Sequence, residues 1–558
     1  MKTIRIILLT CVIAAMLDQA AADNADGALA TEHWPATLPA AFAGDSMTID
    51  RITISPKSGE SRARYDDLMI GPDLSMVDAP HSSMLITAEA VLNPDSQLSK
   101  GFVESLRATG SNAVRHWADG PWWNPLGAEA TIRTLVDEGH EWVKYDTEQK
   151  IADWPKTWPD GFQVIDFFAS RGFDQSLTVA TNYVDPDTGK VYRTRQVCND
   201  VDGVLARAAQ ANAGSFARHF RDKGYKTRLV IEIGNEAVGY DKDGQPSELE
   251  YARMCRAYID AVKWANPTVE VAAVGGRTGM EGVDPLYSAA SIGMGSRRFF
   301  RALGKDMTGK LDHYVLHIYD GYHYRDLSNA RVSDIPDMLD NWRSDLDAEG
   351  FAKTRIFITE YRFNLWNRSW QTVGAALAEA ARMMMQVANR RVSGVFIYCA
   401  PISALFNYSD GTTWTLVQPP GESIPVETKN GHIVDTKPDL GPRYRILPTG
   451  YVQQLLAETC RGELVDAMAV GDYGAVTYLL TREGPTCRLL VANLQSSAVQ
   501  INAPGLTAGK TWVFQGTSLS AEPADTIDQP YGIKETVFDG NVPPSSLTLI
   551  LLHSGKEQ

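Results

Sequence analysis

In the stretch RLVIEIGNEAVGY (228–240) a mostly apolar run leads into Gly234, Asn235 and Glu236, and a second run, RIFITEY (355–361), carries Glu360 near its end. Two carboxylates held about 5 Å apart on either side of a glycosidic bond supply what a retaining double displacement needs. In that scheme Glu360 attacks the anomeric carbon, Glu236 protonates the departing oxygen, and Asn235 hydrogen-bonds the sugar 2-hydroxyl as the transition state forms. Other readings stand beside this one. Asn-Glu is a single dipeptide that a long chain contains by chance, and Glu360 has Arg355 and Arg362 close by as possible ion-pair partners.

Elements that would bring the two acids together are visible in the hydrophobic pattern. Short apolar, β-branched runs alternate with longer amphipathic segments at roughly forty-residue intervals, the pattern of repeated βα units. The runs lie near 67–77, 111–117, 176–183, 228–236, 269–276, 312–320, 355–361 and 392–399. Helical spacing fills VLARAAQANAGSFARHFRDKG, ELEYARMCRAYIDAVKWANP and VGAALAEAARMMMQVANRR between them, and the RMMMQ methionines are expected in a helix core. No Gly-rich phosphate loop follows any run, so the fold class expected is a (β/α)8 barrel rather than a doubly wound sheet. Barrel active sites lie at the C-terminal strand ends. Glu236 ends the fourth strand and Glu360 the seventh, so both acids should face one mouth.

Four regions follow. Residues 1–22 combine Lys2 and Arg5, an apolar run and small residues before Asp23, as in a signal peptide cleaved near Ala22, which places the protein outside the cytoplasm, secreted or periplasmic. A lipid anchor on Cys11 is a lesser alternative. Residues 23–60 form an N-terminal extension whose alternating SMTIDRITIS should add a strand to a C-terminal sandwich. The barrel spans 61–460, including a long connection at 401–442 before the helical LPTGYVQQLLAETC. Residues 461–558 change to short alternating runs (VTYLLT, RLLVANL, VQINA, TWVFQG, SSLTLILLH), as in an all-β sandwich that supports the barrel.

With these residues in place the chain resembles the superfamily of retaining (β/α)8 glycoside hydrolases whose acid/base follows Asn on strand four and whose nucleophile ends strand seven. EIGNEAVGY, LDHYVLHIYDG and TEYRFNLW are most similar to the α-L-arabinofuranosidase family and its relatives. The resemblance covers most of the chain, including the C-terminal sandwich. It implies that Tyr319 hydrogen-bonds the nucleophile, that His317 lies beside it, and that Arg115 is the strand-two arginine of the site. HWADGPWW follows that position where the family has Gly-Gly-Asn, and Tyr361 follows the nucleophile where the family commonly has Trp. Both departures lie where the sugar would be held. The resemblance therefore specifies clan and catalytic pair and leaves the sugar open, with β-xylosidase, endoglucanase and agarase-type activities as alternatives. A carbohydrate-binding protein without turnover is the alternative of another class.

Charge and composition narrow the partners. The net charge is −15, and loss of the first 22 residues, with Lys2, Arg5 and Asp18, makes it −16. An acidic chain without a Lys/Arg run argues against nucleic acid and anionic membranes as partners, whereas a neutral polymer is unaffected. The cysteines show neither CxxC nor Cys/His ligand spacing, so no metal and no cofactor are expected, and Cys460 with Cys487 is the candidate disulfide. Trp117, Trp122, Trp123, Trp366, Trp370 and Trp414 fall in loops after strands two, seven and eight, where indole faces could stack on sugar rings, Trp366 foremost. Each could equally be packing.

Overall fold

A computed structural model describes residues 49–54, 65, 67–74, 83–118, 124–139, 144–235, 246–274, 297–320, 332, 335–363, 372–389, 391–398, 406–408, 424–429, 432–437, 444–471, 474–519, 521 and 531–554. Eight parallel strands close into a barrel: β1 (Met69–Asp73), β2 (Ala113–Ala118), β3 (Asp174–Val179), β4 (Leu229–Ile233), β5 (Glu270–Val274), β6 (His313–Asp320), β7 (Arg355–Phe363) and β8 (Val392–Tyr398). Each corresponds to one run in the sequence. The signal segment at 1–22 lies outside the described residues, and no helix among those described is long and apolar enough to cross a membrane.

The helices form where the sequence supplies faces and caps. Glu248–Ala265 starts with a capping box between Ser247 and Glu250, and nine of its apolar residues are buried against the barrel wall. The segment from Leu205 to Lys223 is helical with a π-helical turn at Gln210–Gly214, where Asn212 is turned inward to donate to the carbonyls of Ala180 and Asn182. That contact ties the helix to the end of β3.

Beyond the barrel, six strands from Glu463–Val470 to Ser546–Ser554 make one antiparallel sheet, and a second, mixed sheet pairs Val499–Asn502 in parallel with Arg51–Thr53 and antiparallel with Asn541–Val542. Strand alternation divides the larger sheet's side chains. Val476, Tyr478, Leu480, Cys487, Leu489 and Val491 face the smaller sheet, forming a sandwich core with Ile52, Ile54, Val499 and Ile501. Leu479, Leu490 and Ala492 face the barrel and join its core. Helix Val373–Val387 lies between the two units with every residue buried, its methionines included, and its first turn donates to the carbonyls of Leu519 and Ala521. The long connection contains a hairpin of Ile424–Lys429 with His432–Lys437.

One expectation fails here. Cys460 and Cys487 are both free and buried. The reason is the same alternation: Cys460 packs in the barrel-side core and Cys487 on the far face of the sheet.

Candidate active site

Arg115 is the centre of the site. Its neighbour His116 points outward, stacking on Phe168 and bonding Gln175, so Arg115 points into the barrel. Buried guanidinium groups require partners, and this one makes five hydrogen bonds to four residues, one from each N–H. Nε and Nη2 form a fork on Glu232 at 2.9 and 2.7 Å, Nη1 reaches Asp73 at 2.8 Å and Glu360 at 2.6 Å, and Nη2 also reaches Asn235 at 2.9 Å. Asp73, Arg115 and Glu232 are fully buried and Glu360 is nearly so. Burial alone would pull the arginine down, but Asp73, Glu232 and Glu360 together hold it well above its ordinary value.

Local backbone features aim each partner. Asp73 pairs with Arg115 across β1 and β2, their only matched position, and the Asn112 side chain bonds both the N–H of Ile70 and the carbonyl of Leu68. At Gly71 a Cβ would lie 1.8 Å from the Ala113 carbonyl oxygen, so only glycine allows the two strands this approach. On β4, Glu232 faces inward by alternation, and Gly234 at φ +74 reverses the chain so that Asn235 returns to Arg115. Tyr251 pins the same corner: its hydroxyl donates to the Ile233 carbonyl at 2.7 Å and accepts from the Val274 N–H at 2.9 Å.

Glu360 depends on a β-bulge. Along β7 the register with β6 runs Ile358 to Leu316 and then Glu360 to His317, leaving Thr359 as an extra residue. Both Thr359 and Glu360 consequently reach the interior. Thr359 Oγ1 is 3.1 Å from His317 Nε2 and donates to Glu232 at 3.4 Å, while His317 Nδ1 is 3.4 Å from the second oxygen of Glu360. The Glu360 carboxylate is thus held on one oxygen by Arg115 and faced on the other by His317.

Of the residues singled out in sequence, Arg115, Asn235, His317 and Glu360 meet in one cluster. Glu236, Trp366 and the Tyr319 side chain lie outside the described residues, as do Trp122, Trp123, Trp370 and Trp414. Trp117 is buried, its ring 5.3 Å from the Arg115 guanidinium carbon, and Tyr361 is buried as well. Sequence reasoning missed Asp73 and Glu232. An acid in the middle of an apolar run of sequence, as in 67–77 and 228–236, was the available signal. Among the described residues no group of three His, Cys, Asp or Glu side chains is arranged for a metal ion.

No family profile matches the chain, and no curated protein matches its sequence. Solved structures do match in fold. An arabinofuranosidase shares 13% identity at a TM-score of 0.55, covering 90% of this chain and 100% of its own. A family 51 α-L-arabinofuranosidase from Bifidobacterium longum shares 15% at 0.55, covering 91% and 100%. An α-L-arabinofuranosidase from Thermotoga maritima, solved with arabinose, shares 14% at 0.52, covering 90% and 99%. The chain therefore has the fold of these arabinofuranosidase structures, a (β/α)8 barrel joined to a β-sandwich.

Proposed function

We propose that the protein is a retaining glycoside hydrolase, exported from the cell, that cleaves polysaccharides or their oligosaccharides by double displacement. The observation that carries this reading is Glu360 in the C-terminal half of β7, held by Arg115 and faced by His317 at the centre of the barrel. In the first step a Glu360 oxygen forms a bond to the anomeric carbon as the bond to the leaving oxygen breaks, and Glu236 gives that oxygen its proton. In the second, Glu236 takes a proton from water, the water oxygen bonds to the anomeric carbon, and Glu360 leaves as a carboxylate. Asn235, fixed against Arg115, is suited to hold the sugar 2-hydroxyl through its amide nitrogen, since its oxygen is already engaged. Tyr319 and Trp366 are assigned to the sugar on the resemblance alone.

The similar structures make an α-L-arabinofuranoside the first substrate to try, with β-xylosides, β-glucosides and β-galactosides beside it. Cleavage of at least one aryl glycoside or polysaccharide, abolished by Glu360→Gln, is the expected result, and single-sugar release against a product ladder separates exo from endo action. Oligosaccharide binding by calorimetry with no cleavage across the panel would instead establish a binding protein.

A further inference from the structure

Among the described residues, two polar atoms that face the barrel interior next to the cluster are buried without a hydrogen-bond partner: Trp117 Nε1 and Thr178 Oγ1. They are neighbours. Trp117 and Thr178 are matched positions of β2 and β3, and Thr178 is in turn matched to Glu232 on β4. Trp117 lies two residues beyond Arg115 on the same face, and its ring covers the guanidinium. Thr178 lies two residues beyond Ser176, whose hydroxyl bonds Glu232, so it too faces the barrel interior. Both side chains are thus one layer nearer the C-terminal mouth than Arg115, on strands about 5 Å apart. Trp117 is 6% exposed and Thr178 is fully buried. Buried donors are rarely left unpaired, so each such group needs a cause, and at the mouth of a barrel a ligand is one that supplies it.

Resting on the glycosidase reading above, we propose that Trp117 and Thr178 are specificity-determining residues that together bind one hydroxyl of the sugar in the cleavage site. An indole N–H only donates, and a threonine hydroxyl both donates and accepts. A single sugar hydroxyl satisfies both, accepting from Trp117 Nε1 and donating to Thr178 Oγ1. The sugar is neutral. Asp73, Glu232 and Glu360 already surround the site, and all five N–H groups of Arg115 are committed to acceptors, so no N–H of that cation is available for a carboxylate or sulfate substituent.

The test uses the full chain and an aryl glycoside that it cleaves. Trp117→Phe keeps the ring over Arg115 and removes the donor, and Thr178→Val keeps the shape and removes the hydroxyl. Each should lower kcat/KM about tenfold, the loss of one hydrogen bond, and Thr178→Ser should restore most of the Thr178→Val loss. Monodeoxy versions of the same glycoside identify the contact: at one ring position the substitutions cost nothing further, because the hydroxyl they served is gone. At that position a deoxyfluoro sugar, whose fluorine accepts weakly and cannot donate, should leave the chain insensitive to Thr178→Val. Urea midpoints separate misfolding from lost recognition, and if Trp117→Phe fails to fold, the Thr178→Val and Thr178→Ser pair decides alone. Losses below twofold with every substrate, or losses equal for all deoxy sugars, overturn the proposal while leaving the hydrolase reading intact. Faster cleavage of a uronide than of its neutral counterpart overturns the neutral-sugar assignment. Absence of any glycoside cleavage by the unmutated chain defeats the hydrolase reading and this proposal with it.

Discussion

Replacing Arg115 by lysine keeps one positive charge at the centre of the barrel but reduces five N–H donors to three. Arg115 serves Asp73, Glu360 and Asn235 once each and Glu232 twice, so at least two of these five contacts must be lost. Hydrogen bonds to charged groups contribute about 1.5–3 kcal/mol each, which puts the loss at about 3–6 kcal/mol. The side chain is fully buried, so solvent does not screen the deficit. Against a total stability of about 5–15 kcal/mol, such a loss is large. With a urea dependence of about 3 kcal/mol per molar, the unfolding midpoint should fall by about 1–2 M. Activity should fall as well, because Glu360 and Asn235 are each fixed by an Arg115 N–H and lysine cannot replace all five. Arg133→Lys is the control: its pair with Glu129 is exposed on a helix surface, and the midpoint should stay within about 0.3 M. An Arg115→Lys protein with an unchanged midpoint and unchanged kcat/KM would refute the claim that this arginine organises the site.

Other outcomes follow from the same geometry. Glu360→Ala should abolish turnover with every leaving group, whereas Glu236→Ala should still form a glycosyl-enzyme from an activated aryl glycoside, which azide then releases with retained configuration; azide that rescued only Glu360→Ala, giving inverted product, is the ordinary sign of a missing nucleophile and would leave that role intact. Gly234→Ala forces a side chain into φ +74, costing about 1–2 kcal/mol and displacing Asn235, so both the urea midpoint and kcat/KM should drop; an unaffected rate would mean that Asn235 needs no such corner. Burial lowers the His116 imidazole from 6.5 to about 4, so below pH 6.5 the unfolded chain takes up a proton that the folded chain refuses. Stability from this group is full above pH 6.5 and falls by about 3 kcal/mol on reaching pH 4. Urea midpoints at pH 7 and pH 4 should differ accordingly, and by less in His116→Gln; equal differences in the two proteins would show that His116 is not the group responsible.

The barrel was readable in sequence because its strands are short, apolar and separated by helices with their own caps, so period and punctuation agree at every unit. Glu360 and Asn235 were readable for a related reason, since polar residues at the end of an apolar run stand out. Glu232 and Asp73 did not stand out. Each lies in the middle of its apolar run of sequence, 67–77 and 228–236, and only the partner that neutralises it, Arg115 on another strand, explains its presence. An arginine within the buried run SNAVRHW must nevertheless find acids on neighbouring strands. The bulge at Thr359 had no counterpart in the pattern: one extra residue shifts a side chain from wall to interior without altering composition. The proposed Cys460–Cys487 disulfide failed because sequence proximity does not report which face of a sheet a residue occupies.

Three described carboxylates share Arg115, so the central claim is that Glu360, not Glu232 or Asp73, is the nucleophile. Incubation with activated 2-deoxy-2-fluoro glycosides of the sugar that the protein cleaves, followed by proteolysis and mass spectrometry, measures this directly. One added sugar is expected on the peptide containing Glu360, attached through its carboxylate. A sugar on Glu232 or Asp73, or inversion of configuration in the normal product with no adduct on any residue, would contradict it.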